Sequence, residues 1–298
     1  MTTREEDYVE TVFTSSTHDN ILFFTNLGKV YVRKGYRIPR AERSAKGTNI
    51  VNILPLENGE KVATMIHSRQ LDEDKYVVMI TKNGTVKRMH EGVLRNIRKS
   101  GIRAIVLSED DELISVRQTD GEQSVFLATR DGQAIRFHET DLRPMGRTAA
   151  GVRGIRLRAG DVVVGAGISG GGDTLLSVTE NGYGKRTSQN EYKIQKRGGS
   201  GLKNYNVTAK TGKVCDVKMV NEQDDLLVVS DDGTIIRMAV SDISILGRAT
   251  QGVRVKVMTD DSKVISIARL DPEPEEEAQE LEEVTEATEA APESEETP

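Results

Sequence analysis

One pattern occurs five times along this chain: a short apolar run, a tight turn that holds a glycine, and a second strand that carries an arginine. The turn glycines lie 56, 48, 50 and 51 residues apart, and they are Gly28, Gly84, Gly132, Gly182 and Gly233. A second glycine follows each of them by 17 or 19 residues, at Gly47, Gly101, Gly151, Gly201 and Gly252. A period of this size with several short strands per repeat is typical of propeller blades rather than of helical solenoids.

The apolar runs and the turns together predict one β-hairpin in each repeat. The runs cover residues 21–25, 76–81, 124–129, 174–179 and 226–230. Asn-Gly and Asp-Gly pairs, as at Asn83-Gly84 and Asp131-Gly132, predict two-residue hairpin turns, because these turns need positive φ angles. The strand after the turn carries Arg33, Arg88, Arg136, Arg186 or Arg237.

Two further runs complete each repeat. One follows the second glycine, as at residues 152–157, and another precedes the next repeat, as at residues 214–220 and 264–270. A polar stretch between the hairpin and the second glycine, such as residues 189–194, fits either one helical turn or a loop. Four strands per repeat match a propeller blade. The sequence therefore predicts an all-β, propeller-like fold of about five four-stranded blades, with residues 20–270 as one body.

The two ends of the chain differ from the repeats. Residues 271–298 hold 13 acidic residues and no basic ones, so they are predicted to form a disordered acidic tail. The net charge of −6 hides the charge of the remainder, which has 41 basic and 34 acidic residues, or about +7. Residues 8–15 match only the last strand of a blade, so residues 1–19 are predicted to be the leading strand and connector of an incomplete first blade.

Basic residues crowd the loop before the second glycine of every repeat, and another follows two residues after four of these glycines. Equivalent loops lie at equivalent places around a propeller, so these residues predict a continuous rim of positive charge, here called the basic belt. Such a rim suits duplex DNA, because Lys and Arg neutralise phosphates without reading the base sequence. Glycines there would let the backbone present N–H groups to phosphate oxygens. The candidate DNA-binding residues are Arg43, Lys46, Arg98, Lys99, Arg147, Arg153, Gln195, Lys196, Arg197, Gly198, Gly199, Gly201, Lys203, Arg248 and Arg254.

No motif in the chain indicates a catalytic or metal site. The four histidines are isolated, and no column of acids or histidines recurs from repeat to repeat. Residues 182–187 lack the spacing of a phosphate loop, and no dinucleotide-type helix pattern follows the glycine-rich residues 167–172. We therefore predict no catalytic residue, no metal, no cofactor and no small-molecule substrate for this chain. Its single cysteine and the lack of a signal peptide or long apolar stretch predict a cytoplasmic location without membrane contact.

One loop of the belt resembles a known motif. Residues 195–201 read Gln-Lys-Arg-Gly-Gly-Ser-Gly and resemble the glutamine-arginine-glycine box in the C-terminal domain of DNA gyrase A subunits. Residues 17–24, 146–155, 181–187 and 243–253 resemble the same family, and the resemblance covers residues 5–270. It implies a β-pinwheel, which is a propeller-like ring whose neighbouring blades exchange strands.

The resemblance also implies a function. Domains of this family wrap duplex DNA around the rim in a right-handed sense, so that the whole enzyme introduces negative supercoils with ATP and Mg²⁺. Those cofactors belong to the whole enzyme, in which two A and two B subunits form a complex in the bacterial cytoplasm on the nucleoid. The catalytic tyrosine of that enzyme lies next to an arginine in a winged-helix domain, and none of the seven tyrosines here has that context.

Two departures from the family pattern and several alternatives remain. The family ring normally has six blades with the principal box in the first, whereas this chain has five full repeats and Ser200 where the box often has lysine. The acidic tail could compete with DNA for the basic belt.

The equivalent domain of topoisomerase IV is one alternative. A protein-interaction propeller of the WD-repeat kind is another, although the chain has no Trp.

Overall fold

The computed structural model describes residues 13, 15–41, 47–259 and 262–270. In chain order its strands are β1 (Asn20–Thr25), β2 (Lys29–Lys34), β3 (Val62–Ser68), β4 (Tyr76–Thr81), β5 (Thr85–His90), β6 (Ile102–Arg103), β7 (Leu113–Thr119), β8 (Ser124–Thr129), β9 (Gln133–His138), β10 (Val152–Arg153), β11 (Val163–Ile168), β12 (Thr174–Thr179), β13 (Tyr183–Ser188), β14 (Leu202–Lys203), β15 (Val214–Val220), β16 (Asp225–Ser230), β17 (Ile235–Ala239), β18 (Val253–Arg254) and β19 (Val264–Leu270). Short 3-10 turns occur at Gly35–Arg37, Ile50–Asn52, Glu91–Leu94, Glu139–Asp141, Ser169–Gly171, Gln189–Glu191 and Val240–Asp242. The predicted acidic tail lies outside the described residues, as does nearly all of the predicted leading strand.

The hairpin turns have three residues, not the two that the dipeptides predict. In the second repeat the Gly84 N–H donates to the Thr81 carbonyl at 3.0 Å, and Gly84 has a φ of +80°. Asn83 is not in the positive-φ region. This is a hairpin loop that ends in a left-handed glycine, and the Thr81 hydroxyl stabilises it by accepting the Thr85 N–H at 3.1 Å. The glycine alone therefore supplies the conformation that L-residues avoid.

Neighbouring repeats exchange strands, as the family resemblance implies. Three strands of each sheet come from one repeat, and the following repeat supplies a two-residue fourth strand. The four-stranded sheets have the orders β3-β1-β2-β6, β7-β4-β5-β10, β11-β8-β9-β14 and β15-β12-β13-β18, and the fifth is β19-β16-β17. The fifth sheet has three described strands. The predicted all-β, five-bladed fold is confirmed, although the strand after the second glycine is shorter than its apolar run.

The strand order places the basic belt on the outside of the molecule. The strands β3, β7, β11, β15 and β19 line a central channel of about 480 Å³, so they are the innermost strand of each sheet. The exchanged strands β6, β10, β14 and β18 lie at the opposite edge of their sheets. The belt loops of the second to fifth repeats directly precede an exchanged strand in the sequence, so each of these four loops lies at the outer rim of the preceding blade.

Aliphatic side chains hold consecutive blades together. Leu22 and Phe24 of the first blade, for example, pack against Val77 and Met79 of the second, and similar clusters join each later pair. Burial of apolar surface is the main stabilising contribution in such interfaces. Among the described residues, no such cluster joins the fifth blade to the first, where Tyr31 and Leu54 form a separate group.

In the second, third and fourth repeats the arginine of the second strand connects neighbouring blades and does not belong to the belt. Arg88 donates to the Glu139 carbonyl at 3.0 Å, Arg136 to the Gln189 carbonyl at 2.9 Å, and Arg186 to the Ile243 carbonyl at 2.6 Å. Each acceptor belongs to the next repeat, in or beside its 3-10 turn.

The first repeat departs from this arrangement. Leu22 pairs with Val32, whereas the equivalent Val78 of the second repeat pairs with Arg88. The two hairpins have the same pairing register, so Arg33 lies one position further along its strand than Arg88 does. Because side chains alternate along a strand, it lies on the opposite face of its sheet.

Candidate nucleic-acid interface

The structure brings most of the predicted belt residues to one rim. The basic residues of the exchanged strands, Arg103, Arg153, Lys203 and Arg254, are all exposed. Arg98, Lys99, Arg147 and Lys196 are exposed in the loops that precede these strands, while Gln195, Arg197 and Arg248 are half-buried. Arg43 and Lys46 lie outside the described residues. Four consecutive blades thus carry cations at equivalent outer positions.

The box-like loop, residues 195–201, is fixed between two blades by backbone hydrogen bonds. The Gln195 N–H donates to the Arg136 carbonyl of the third blade at 2.8 Å. On the other side the Gly198 N–H donates to the Gly154 carbonyl at 2.6 Å, and Gly199 accepts the Arg156 N–H at 2.8 Å. The Gly198 N–H, predicted as a phosphate donor, is therefore engaged within the protein.

Two glycines of this loop have a backbone conformation that L-residues rarely adopt, and one of them is also closely packed. Gly198 and Gly201 have φ angles of +78° and +73°. A Cβ atom at Gly201 would overlap the Ala134 carbonyl oxygen. Larger residues at Gly201 would push the loop off the sheet edge, so this glycine helps to position the basic side chains of the loop.

Two belt arginines bridge neighbouring blades in the same way. Arg197 donates from Nη1 to the Arg153 carbonyl at 3.1 Å, and Arg248 donates from Nη1 to the Lys203 carbonyl at 3.1 Å. Both acceptors are basic residues on the adjacent exchanged strand. A guanidinium carries five N–H donors, so these bonds leave donors for a phosphate. The bridges bring cations of consecutive blades side by side along the rim.

Two buried lysines lie beneath the belt, and the sequence analysis did not identify them. Lys87 donates to the carbonyls of Ala104, Arg147 and Ala149 at 2.6, 3.0 and 3.0 Å. Lys185 donates to the carbonyls of Gly247 and Arg248, both at 2.6 Å. Both side chains are fully buried. Each ammonium group holds carbonyls of the next repeat's belt loop towards the protein interior. It also places a positive charge beneath that loop.

Burial lowers the pKa of Lys87 and of Lys185 to about 8, since an ammonium group loses its hydration there. The neighbouring Arg248 lowers the Lys185 pKa further, whereas Glu191 opposes this change. The third blade has Ile135 at the equivalent position, and its Cδ1 lies under Gly199. The fold therefore accommodates either an amine or an aliphatic group beneath a belt loop.

Replacing Lys185 with isoleucine is expected to weaken the pH dependence of stability between pH 8 and pH 10. An unfolded lysine has a pKa near 10.4, so the unfolded chain binds more protons in this window and the free energy of unfolding rises with pH. Each buried lysine contributes up to about 3 kcal/mol to that rise. Urea denaturation at several pH values measures it, with the exposed Lys193→Gln as the control. Identical pH profiles for the wild type and Lys185→Ile would contradict this assignment.

Other kinds of site are not found in the described part of the chain. It contains no group of three or more His, Cys, Asp or Glu side chains that could hold a metal ion. No helix within the described ranges is long and apolar enough to cross a membrane.

The fold and this rim define a β-pinwheel with a basic outer edge. Comparison with known families gives the same architecture: the profile described as "DNA gyrase C-terminal domain, beta-propeller" matches residues 19–68, 75–120, 123–169, 173–221 and 224–271. The chain belongs to this family. The five matched segments coincide with the five repeats.

The relatives agree with this assignment. The DNA gyrase A subunits of two Staphylococcus aureus strains, NCTC 8325 / PS 47 and COL, are 44% identical to it over 280 residues, which cover 93% of this chain and 32% of each relative. The chain thus spans about a third of the length of these curated relatives.

Two solved structures are similar over most of the chain. A DNA gyrase A C-terminal domain has 28% identity and a TM-score of 0.74, and the match covers 86% of this chain and 84% of that one. The C-terminal domain of DNA topoisomerase IV has 26% identity and a TM-score of 0.80, with 90% and 84% covered.

Proposed function

We propose that this chain binds duplex DNA without sequence preference and wraps it around the rim in a right-handed sense, as the C-terminal domain of a gyrase A subunit. One observation carries the proposal: exposed cations occupy equivalent outer positions on four consecutive blades. A row of such patches around a curved rim matches a bent polyanion rather than a compact ligand.

The energetics allow wrapping. Bending 20–30 base pairs of duplex costs on the order of 1–6 kcal/mol. Charge-assisted contacts from Lys196, Arg153 and Arg254 to phosphates, repeated along the arc, would offset that cost. Because the contacts go to the backbone and not to base edges, affinity would not depend on base sequence.

The activity of the whole enzyme follows as part of the same proposal. This domain would support ATP-dependent negative supercoiling in an A2B2 heterotetramer, which it would form together with the B subunit and the rest of the A subunit. ATP, Mg²⁺ and the catalytic tyrosine would belong to other parts of that assembly. The complex would act on the bacterial nucleoid in the cytoplasm.

The equivalent domain of topoisomerase IV is a second candidate, because a solved domain of that enzyme has a TM-score of 0.80 with this chain. The box-like residues 195–201 and the 44% identity to gyrase A subunits favour gyrase.

Salt dependence of binding tests the proposal and the role of the acidic tail together. We expect log affinity for duplex DNA to fall by about 0.9 per neutralised phosphate for each tenfold rise in salt. Removing residues 271–298, which carry 13 negative charges, should tighten binding at low salt but not at high salt. A salt-independent affinity would favour an apolar protein partner. Equal affinities with and without the tail would exclude competition by the tail.

A further inference from the structure

The first blade carries a basic cleft beside β2. In the second, third and fourth sheets the second strand forms a bridge with the chain approaching the next belt loop: Arg88 with Pro144, Arg136 with Ile194 and Arg186 with Ile245. In the described part of the chain no such bridge reaches β2. The reason lies in the sequence, since the second glycine follows the turn glycine by 17 residues in the second repeat and by 19 in the others. Within the described ranges, the shorter loop does not cover the outer part of β2.

The opening is a cleft of about 420 Å³ between β2, the turn at Gly35–Arg37, the turn at Ile50–Asn52 and the short loop of the second repeat. Cations dominate its walls, and no carboxylate of the described residues lines it. The charged or aromatic residues that line it are Arg33, Lys34, Tyr36, Arg37, Arg95 and Lys99.

These cations are held mainly by neutral groups. Arg33 donates to the backbone carbonyls of Ile53, Val32 and Lys99, which fixes a guanidinium in the cleft without neutralising its charge. Lys34 donates to the His18 carbonyl at 3.2 Å. A carboxylate oxygen of Glu73 lies 3.7 Å from Arg95 Nη1. Both side chains are largely exposed, so the attraction between the two charges is weak. The cleft therefore retains a strong positive potential.

An exposed aromatic ring adds a second recognition element. Tyr36 is 58% exposed, which is unusual for a large side chain on a protein with few aromatics. A tyrosine hydroxyl donates well to phosphate oxygens, and the ring can cover a deoxyribose. The neighbouring Arg37 is exposed beside it. Arginine and tyrosine around a concave site lined by cations form a suitable phosphate pocket.

We propose that this cleft binds phosphates of the DNA backbone and extends the wrapped path beyond the basic belt, which reaches it at Lys99. The proposal rests on the DNA binding proposed above. Arg37, Lys34 and the Tyr36 hydroxyl contact the phosphate oxygens, and Arg33 forms a fixed cationic floor. Arg33 supplies this floor because it lies one position further along its strand than the equivalent arginines, and therefore on the opposite face of β2.

The test removes two charges from the cleft and two from elsewhere. Lys34→Gln/Arg37→Gln is compared with Arg69→Gln/Arg158→Gln, a pair of exposed arginines outside the belt that gives the same change in net charge. Affinity for a duplex is measured across a range of salt, and the length of DNA protected from hydroxyl radicals is mapped. We expect the cleft pair to reduce the salt slope by up to about 1.8 and to shorten the protected DNA, and the control pair to do neither.

Three outcomes separate the two proposals. If the cleft and control pairs behave alike, the effect is general charge and the cleft proposal is overturned. If Lys196→Ala/Arg197→Ala weakens binding while the cleft pair does not, the cleft proposal alone fails. If neither the cleft pair nor the belt pair changes affinity or protection, the DNA-binding function itself is wrong. Tyr36→Phe adds a check that keeps the charge and the ring and removes only the hydroxyl.

Discussion

Replacing Lys196 and Arg197 with alanine is expected to weaken DNA binding and to reduce DNA bending. Lys196 is exposed on the box-like loop, and Arg197 links that loop to the Arg153 carbonyl of the next exchanged strand. At 0.1 M salt, each phosphate contact that is lost lowers affinity about eightfold. This figure follows from a slope of about 0.9 in log affinity per tenfold change in salt, applied between 0.1 M and 1 M salt. Loss of the Arg197 bridge also loosens the loop that holds both cations.

Two measurements check this expectation. Fluorescence anisotropy with a labelled duplex gives the affinity, and energy transfer between the ends of the duplex gives the bend. The matched control is Arg69→Ala with Arg158→Ala, which removes the same charge outside the belt. An unchanged bend in Lys196→Ala/Arg197→Ala would remove the role assigned to residues 195–201.

Replacing Glu139 with alanine is expected to destabilise the fold by about 3–5 kcal/mol, because it breaks a buried ion pair between the second and third blades. The Glu139 carboxylate is fully buried and lies 3.4 Å from Arg88 Nη1. It also accepts the Thr119 hydroxyl at 2.6 Å and the Gln123 N–H at 2.7 Å. Alanine would leave a buried guanidinium without its carboxylate and several donors without partners.

Urea denaturation measures this loss. Glu122→Ala serves as the control, because Glu122 is an exposed acid of the same loop region, and a surface change of this kind stays within about 0.5 kcal/mol. A loss below about 1 kcal/mol for Glu139→Ala would mean that water or a neighbouring group replaces the carboxylate. The result also bears on function, since this pair fixes the angle between two blades that share the rim.

The sequence predicted the blades well because their signals are local. A turn glycine such as Gly84 after an apolar run specifies a hairpin by itself, and five copies reinforce the interpretation. The exchanged strands could not be derived in this way. A two-residue strand such as Val152–Arg153 has no detectable periodicity, and its partner Val86 belongs to another repeat. Strand exchange followed only from the family resemblance.

The candidate site was predicted in outline. Basic loops before the second glycine pointed to the rim, and strand exchange places them there. The sequence could not indicate that Lys87 and Lys185 are buried beneath those loops, because alternation along a strand does not reveal which neighbour covers each face. The cleft of the first blade arises from a two-residue shortening in another repeat and from the position of Arg33, which lies one residue further along its strand than the equivalent arginines. Such effects combine distant segments and become visible only in three dimensions.

The central claim is that five blades with a basic rim wrap DNA in a right-handed sense. The most direct test binds this chain to plasmid, relaxes and religates the DNA, removes the protein and measures the topoisomer distribution. Right-handed wrapping predicts a shift towards positive linking number that grows with the ratio of protein to DNA and increases when residues 271–298 are removed. Binding that leaves the distribution unchanged, or shifts it towards negative linking number, would contradict the claim.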